Sequence, residues 1–164
     1  MLIVISPAKT LDFEKKAHTQ HFSNNDFLPS AAKLVKVLKK YKADDLRSLM
    51  SISNDLATLN QERFKTWKRP FDLDNAKQAL LAFRGEVYTG LNADTFSEED
   101  LLYTQDHLRI LSGMYGLLRP LDLIQAYRLE MGTKLKTEDY NNLYQFWGDR
   151  ITNKLNIAIK DEGD

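Results

Sequence analysis

A chain of 164 residues with 43% hydrophobic and 28% charged residues is long enough for one globular domain with a buried core. No stretch approaches the apolar length of a membrane span, and the lack of cysteine excludes disulfides, thiolate metal sites and a cysteine nucleophile, which favours a cytoplasmic location. The net charge is zero, but residues 1–70 carry 13 Lys and Arg against 7 Asp and Glu, while residues 71–164 carry 10 against 16.

The first predicted elements are a short strand and a lysine-rich helix. Residues 2–5, Leu-Ile-Val-Ile, predict a buried strand at the centre of a sheet, ended by Ser6-Pro7. Residues 11–29 have few apolar anchors and predict an irregular segment. Residues 30–42 predict a helix with one apolar face and lysines around the rest of its surface, next to the segment described below.

Residues 44–65 predict two short helices joined by a tight turn, which resembles the helix-hairpin-helix nucleic-acid module. Ser51 and Ser53 replace the two glycines of that module's turn. In the module, the turn amides and the start of the second helix bind a phosphate, because a helix N-terminus presents free N–H donors and a partial positive charge. Such a contact does not distinguish bases. The alternative is an ordinary helical hairpin packed on a core.

The hairpin therefore predicts non-specific binding to duplex or distorted DNA. The predicted inward-facing side chains are Leu46, Leu49, Ile52, Leu56, Ala57 and Phe64. The predicted DNA contacts are Ser51, Ser53 and Asn54 in the turn, with Lys65, Lys68 and Arg69 after it. Trp67 lies among these basic residues, where it could stack on a base or pack in the core, and packing is the favoured interpretation.

The second half of the chain predicts shorter elements. Asp74 is expected to cap a helix over 75–82, and residues 83–91 indicate a strand or tight turn. Ser97 and Asp100 form a capping pair for a helix through about Gln105. Further predicted elements are strands at 108–111 and 127–131 and an amphipathic helix at 143–160. The expected fold class is α+β, a helix-rich single domain over residues 1–164 with a small central sheet.

A second group of side chains favours a different function, an enzyme or a small-anion-binding protein. Lys9 follows the first strand, where α/β proteins place ligands, and it offers a cation for a phosphate or carboxylate. Two arginines further along could hold a phosphate bidentately, with a nearby carboxylate as a base. The candidate pocket residues are Ser6, Lys9, Thr10, Arg119, Arg128 and Glu130. A structural loop and a buried ion-pair network remain the alternatives, and a protein-interaction module is a third.

The sequence predicts no metal site and no cofactor. Its histidines are His18, His21 and His107, and no Glu-x-x-His pair of the ferritin-like kind occurs. The acidic run 98–100 is expected at a helix start, where carboxylates complement the helix dipole.

Four strings, in this order, resemble the YaaA family of bacterial peroxide-stress proteins: LIVISPAKTLDF, FRGEVYTGL, LSGMYGLLRPLDLIQAYRLEMG and LYQFWGDRITNKLN. The resemblance implies a cytosolic protein that protects cells from hydrogen peroxide, helps keep free iron low and contains a DNA-binding helix-hairpin-helix. Ala126 departs from the family string, which has proline there. Family members continue past residue 164, so this chain is expected to correspond to their N-terminal two-thirds. Oligomeric state and any reaction stay open.

Overall fold

A three-stranded sheet of mixed direction is the largest sheet in the computed structural model, which describes residues 1–161. Strand β1 (Ile3–Ile5) runs parallel to β5 (Leu108–Ser112), and β5 pairs antiparallel with β6 (Gly116–Leu118). Along β5, buried and half-buried residues alternate, because successive side chains point to opposite faces of a strand. This places the carboxyl ends of β1 and β5 side by side.

Strand β1 lies at the edge of this sheet, so the prediction of a buried central strand was wrong. Among residues 1–161, only β5 flanks it, in the order β1-β5-β6. Ile3 and Val4 remain 48% and 42% exposed. A continuous apolar run indicates a strand that is buried on both faces only if other elements cover both faces. In this structure, the faces of β1 are not fully covered.

Two short antiparallel ladders fix the remaining strands. Strand β2 (Thr10–Leu11) pairs with β4 (Phe83–Arg84), and β3 (Lys77–Gln78) pairs with β7 (Leu123–Ile124). Charged side chains reinforce the first ladder, since Arg84 lies 3.2 Å from an Asp12 carboxylate oxygen. The loop after β1 is thereby held against the middle of the chain.

Helices form most of the regular structure, and the predicted α+β, helix-rich fold class is confirmed. The helices are α1 (Leu28–Leu38), α2 (Ala43–Met50), α3 (Asn54–Thr66), α4 (Ala79–Ala82), α5 (Glu86–Leu91), α6 (Glu98–His107), α7 (Leu143–Trp147) and α8 (Arg150–Asp161), with a 3-10 turn at Ala93–Thr95. Within residues 1–161, no helix has the length and apolarity needed to cross a bilayer.

Four further predicted elements differ from the structure. Residues 83–91, expected to form a strand or tight turn, contain the two residues of β4 followed by helix α5. Most of the expected helix at 75–82 is absent, because Lys77 and Gln78 pair with β7 and leave only the short α4. Residues 127–130, expected to form a strand with residue 131, have no regular secondary structure, and residue 131 lies in a turn. The helix expected at 143–160 is two helices, separated at Gly148, whose φ of +50° lies outside the helical region.

The core joins the helices to the sheet through large apolar side chains. Leu34 and Leu38 of α1, with Phe64 of α3, are 0–1% exposed. Trp147 at the end of α7 is also buried, and its Nε1–H donates to the Gly113 carbonyl at 2.9 Å. The α7 helix is therefore anchored directly on the turn that follows β5.

Candidate functional site

The turn between α2 and α3 is open to solvent and contains a left-handed residue. Ser51 has φ 53° and ψ 53°, and its N–H donates to the Arg47 carbonyl to close α2. The Ser53 hydroxyl caps α3 by accepting from the Leu56 N–H at 3.3 Å. Ser51, Ser53 and Asn54 are all exposed. Serine at position 51 thus adopts the conformation that glycine favours in such turns.

Buried apolar side chains hold this turn in place from below. Leu46 of α2 and Ala57 of α3 are fully buried, and Phe64 is 1% exposed. Leu56, which was predicted to face inward, is instead 37% exposed. The hairpin is therefore anchored by its middle and distal residues, and the side of α3 next to the turn faces solvent.

The basic residues predicted to assist the turn lie at the other end of α3. Asn54 and Thr66 are the first and last residues of the helix, so a rise of about 1.5 Å per residue separates its ends by about 18 Å. Lys65 is paired with Glu62 at 3.0 Å. The six predicted DNA contacts therefore form two groups of three rather than one continuous site at the turn.

Lys68 and Arg69 line a shallow surface groove with Lys36 of α1 and Lys39, the residue that follows this helix. This basic groove consists of Lys36, Lys39, Lys68 and Arg69, over the buried side of Trp67. Lys39 Nζ donates to the Trp67 carbonyl at 3.0 Å, and the Trp67 side chain is only 5% exposed. Trp67 is a packing residue here, as favoured from the sequence, and it is not available for stacking on a base.

A second candidate site is a cleft of about 410 Å³ at the carboxyl ends of β1 and β5. We call it the strand-end cleft. Its lining consists of three segments, residues 6–9, 111–113 and 127–132. Ligands in α/β proteins commonly bind beyond the carboxyl ends of parallel strands, and β1 and β5 are the parallel pair of this sheet. The volume is within the usual range for small-molecule sites.

Two cations and one carboxylate face each other in the strand-end cleft. Lys9 Nζ lies 3.2 Å from Glu130 Oε1, and Arg128 Nη2 lies 3.9 Å from Glu130 Oε2. The Arg128 side chain is 17% exposed, and its Nε is buried without a hydrogen-bond partner in the described part of the chain. The second distance exceeds hydrogen-bond length, so Glu130 leaves the Arg128 guanidinium incompletely satisfied.

Buried hydroxyl groups fix the walls of the cleft. The Tyr88 hydroxyl donates to the Ser6 carbonyl at 2.8 Å, and the Ser112 and Tyr127 hydroxyls lie 2.7 Å apart. Burial raises the pKa of both tyrosines, so their hydroxyls stay neutral and keep their protons at physiological pH.

Gly113 lets two parts of the cleft approach closely. A Cβ at this position would overlap the Leu129 carbonyl oxygen and lie 2.9 Å from the Met131 backbone nitrogen. The segment that contains Arg128 and Glu130 is therefore pressed directly against the end of β5. This contact holds the segment in place although it pairs with no strand.

Four of the six predicted pocket residues lie together in the cleft: Ser6, Lys9, Arg128 and Glu130. Arg119 does not, because its guanidinium is 3.0 Å from the buried carboxylate of Asp122 and also donates to the Asn24 carbonyl. Thr10 is absent from the lining as well, since it belongs to β2 and pairs with Arg84. The predicted joint role of Arg119 and Arg128 in one phosphate clamp was therefore wrong.

Arg63 is a residue that the sequence did not single out. It lies on α3 and is half-buried, with Nη1 3.5 Å from Asn60 Oδ1. Burial, and then repulsion by the nearby charge of Arg128, lower the pKa of Arg63. Arg63 lies next to the buried face of α3 that contains Asn60 and Phe64. No pattern in the neighbouring sequence indicates an interaction with the charge of Arg128.

Residues 1–161 contain no cluster of three or more His, Asp or Glu side chains that could hold a metal ion. His18 is hydrogen-bonded to the Phe96 carbonyl at 2.9 Å, and His21 lies 3.5 Å from Glu98. Ser97 and Asp100 form the predicted capping box, so the acidic residues at 98–100 begin α6 as expected.

The chain matches the model of a protein family described as peroxide stress protein YaaA, over residues 1–163. It belongs to the YaaA family. Curated relatives, each called a UPF0246 protein, occur in Shewanella loihica, Shewanella amazonensis and Shewanella sediminis, at 58%, 56% and 54% identity over all 164 residues. The alignment covers 64% of each relative, so this YaaA-family chain spans slightly less than two thirds of their length.

Proposed function

We propose that this YaaA-family chain contributes to peroxide-stress protection by binding DNA non-specifically through the turn between α2 and α3, which helps limit iron-driven DNA damage. The observation that carries the proposal is the exposed turn, with a left-handed Ser51 and a capped helix start at Ser53. The same proposal places the protein in the cytoplasm, where it would encounter DNA.

The physical basis is the N-terminus of α3. A helix of 13 residues carries roughly half a positive charge at its start, and its first amides have no partner within the helix. These amides lie beside neutral side chains at Ser53 and Asn54. Asp55, in the first turn, competes for the same field and weakens the attraction for a phosphate. The affinity is therefore expected to be modest and strongly dependent on salt.

The basic groove supplies the second part of the interface. Lys68 and Arg69 of the groove follow the C-terminal end of α3, and the two ends of that helix are about 18 Å apart, so a duplex lying along the helix would meet donors near both ends. Lys68 and Arg69 would neutralise phosphates without contacting bases. Because Lys65 is paired with Glu62, it contributes less than the sequence led us to expect.

The test is a fluorescence-anisotropy titration of labelled duplex and single-stranded DNA between about 50 and 200 mM salt. Asn54→Asp should weaken binding, because it places a carboxylate at the phosphate position while favouring the helix start. Gln61→Glu, the same amide-to-carboxylate change two turns further along α3, is the matched control and should have a smaller effect. Absence of binding at low salt, or equal losses in the two variants, refutes the proposal.

A second candidate function is the binding of a small anion in the strand-end cleft, with or without a reaction. The convergence of Lys9, Arg128 and Glu130 with Ser6 favours it. Isothermal titration with inorganic phosphate and with acetate tests it, using Lys9→Gln as the variant. Lys40→Gln, at an exposed position in the turn after α1, is the control. Binding that survives Lys9→Gln unchanged would rule out the cleft.

A further inference from the structure

We infer that the strand-end cleft binds a monocarboxylate with an apolar body, and that Arg128 recognises its carboxylate group. This inference rests on the second candidate function above and specifies its ligand class. The observation that carries it is a largely buried arginine that lines the cleft and whose side chain forms no hydrogen bond within residues 1–161.

The Arg128 side chain lacks the acceptors that a guanidinium at this depth requires. It is 17% exposed, and its neighbours Tyr127 and Leu129 are buried. Its Nε has no hydrogen-bond partner in the described chain, and its ion pair with Glu130 is 3.9 Å long, which exceeds hydrogen-bond length. A buried donor without an acceptor costs free energy. An oxyanion that reaches the guanidinium from the cleft would supply acceptors and reduce this cost.

The backbone on either side of Arg128 is held in place by packing. A Cβ at Gly113 would overlap the Leu129 carbonyl oxygen, so the segment after Arg128 lies directly against the end of β5. The Tyr127 hydroxyl, on the other side, lies 2.7 Å from the Ser112 hydroxyl. These contacts restrain the position from which the guanidinium projects. A ligand therefore meets a preorganised donor group, which lowers the entropic cost of binding.

The charges that line the cleft favour a monoanion. Lys9 and Arg128 supply two positive charges, and Glu130, which lies 3.2 Å from Lys9 and 3.9 Å from Arg128, supplies one negative charge. The charged residues of the lining therefore sum to +1. A carboxylate balances this charge, and its two coplanar oxygens match the planar fork of donors on a guanidinium. A phosphate dianion would instead place excess negative charge beside Glu130.

The remaining lining suits an apolar group attached to the carboxylate. The apolar side chains of the lining are Pro7, Ala8, Leu111, Leu129 and Met131. The cleft volume of about 410 Å³ is far larger than a carboxylate group and falls in the usual range for small organic ligands. A hydrocarbon or aromatic body that fills this space would bury apolar surface and so increase the affinity.

The experiment is isothermal titration of the whole chain with phenylacetate, acetate, phenylacetamide and inorganic phosphate. Phenylacetate should bind most tightly, because it alone combines a carboxylate with an apolar body. Acetate lacks the body and phenylacetamide lacks the charge, so each should bind about tenfold more weakly. Phosphate that binds as tightly as phenylacetate overturns the ligand class but leaves the cleft candidate intact, whereas absence of any anion binding overturns both. Phenylacetamide that binds as tightly as phenylacetate overturns the inference.

Variants of Arg128 test the recognition of the carboxylate. Arg128→Lys keeps the positive charge but removes the planar fork of donors, and it should weaken phenylacetate binding about tenfold, as expected for loss of a charged hydrogen bond. Arg47→Lys, on the exposed surface of α2, is the matched control and should change nothing. Equal affinities of the two variants for phenylacetate overturn the inference.

Arg128→Met separates ligand recognition from a structural role. The Arg128 side chain has no hydrogen bond to lose within residues 1–161, so this variant should abolish phenylacetate binding without lowering Tm. Saturating phenylacetate should raise the Tm of the unmodified chain and leave that of the variant unchanged. A variant that does not fold, or whose Tm falls by more than about 4 °C, assigns Arg128 to the fold and overturns the inference. The DNA titration with Asn54→Asp is independent of these outcomes.

Discussion

Replacement of Ser51 by glycine should stabilise the protein. Ser51 has φ 53° and ψ 53°, a conformation that costs a residue with a Cβ about 1–2 kcal/mol and costs glycine almost nothing. Glycine loses more backbone entropy on folding, by about 0.5–1 kcal/mol, which offsets part of that gain. The Ser51 side chain is exposed, so no buried contact is lost. The expected net gain is about 0.5–1 kcal/mol in the free energy of unfolding.

Urea denaturation measures this gain, with the requirement that the m-value stays the same. For a chain of this size, 1 kcal/mol corresponds to a Tm increase of about 2–4 °C. Asn92, with φ 50° and ψ 49°, provides the control. Asparagine tolerates this region better than serine, so Asn92→Gly should gain less. A loss of stability in Ser51→Gly, or a gain no larger than in Asn92→Gly, would refute the reasoning.

Two further predictions concern groups outside the candidate sites. Tyr115→Phe should lower the free energy of unfolding, measured by chemical denaturation, by about 2–4 kcal/mol. The reason is that the buried Trp67 Nε1–H, which donates to the Tyr115 hydroxyl at 3.1 Å, is left without an acceptor. A loss below about 1 kcal/mol would contradict this. The hydrogen bond from Lys15, and then the charge of Arg84, hold the pKa of Asp94 below its usual value of 3.8. The Asp94 carboxylate therefore stabilises the fold above pH 3.8, and this stabilisation is lost as the pH falls through the lower pKa that Asp94 has in the folded protein. Asp94→Asn should therefore flatten the decline of Tm in acid. An unchanged profile of Tm against pH would exclude this role.

Local patterns in the sequence were sufficient where the stabilising contacts are also local. The two helices of the hairpin follow from apolar spacing, and α6 follows from the capping pair Ser97 and Asp100. Strand β5 was predicted from the run at 108–111 and extends only one residue further. Each of these elements is specified by residues within about one or two turns of one another.

Elements that depend on distant partners were predicted poorly. Residues 77–78 form a strand because β7 lies beside them. Residues 127–131 pair with no strand in the described chain and instead pack closely against Gly113. The apolar composition of β1 gave no information about how many neighbours it has. Local periodicity does not encode these long-range choices.

For the candidate site too, local sequence rules predicted some residues correctly, and contacts between distant residues were missed. The rule that ligands bind beyond strand ends correctly suggested that Lys9 lies in a cleft. Arg119 was grouped with Arg128 by proximity in sequence, but Asp122, three residues away, is a nearer partner in space. Arg63, whose pKa is lowered by burial and by the charge of Arg128, is far from Arg128 in sequence, so no local pattern indicated that the two charges affect each other.

If the proposed DNA binding is correct, the length of α3 sets the smallest nucleic acid that can reach both groups of contacts. The open turn and the basic groove lie near opposite ends of this single helix, so the helix sets the distance between them. At 3.4 Å per base pair, about 18 Å corresponds to about five base pairs. Under the proposed function, oligonucleotides shorter than this footprint would contact one end of α3 and not both.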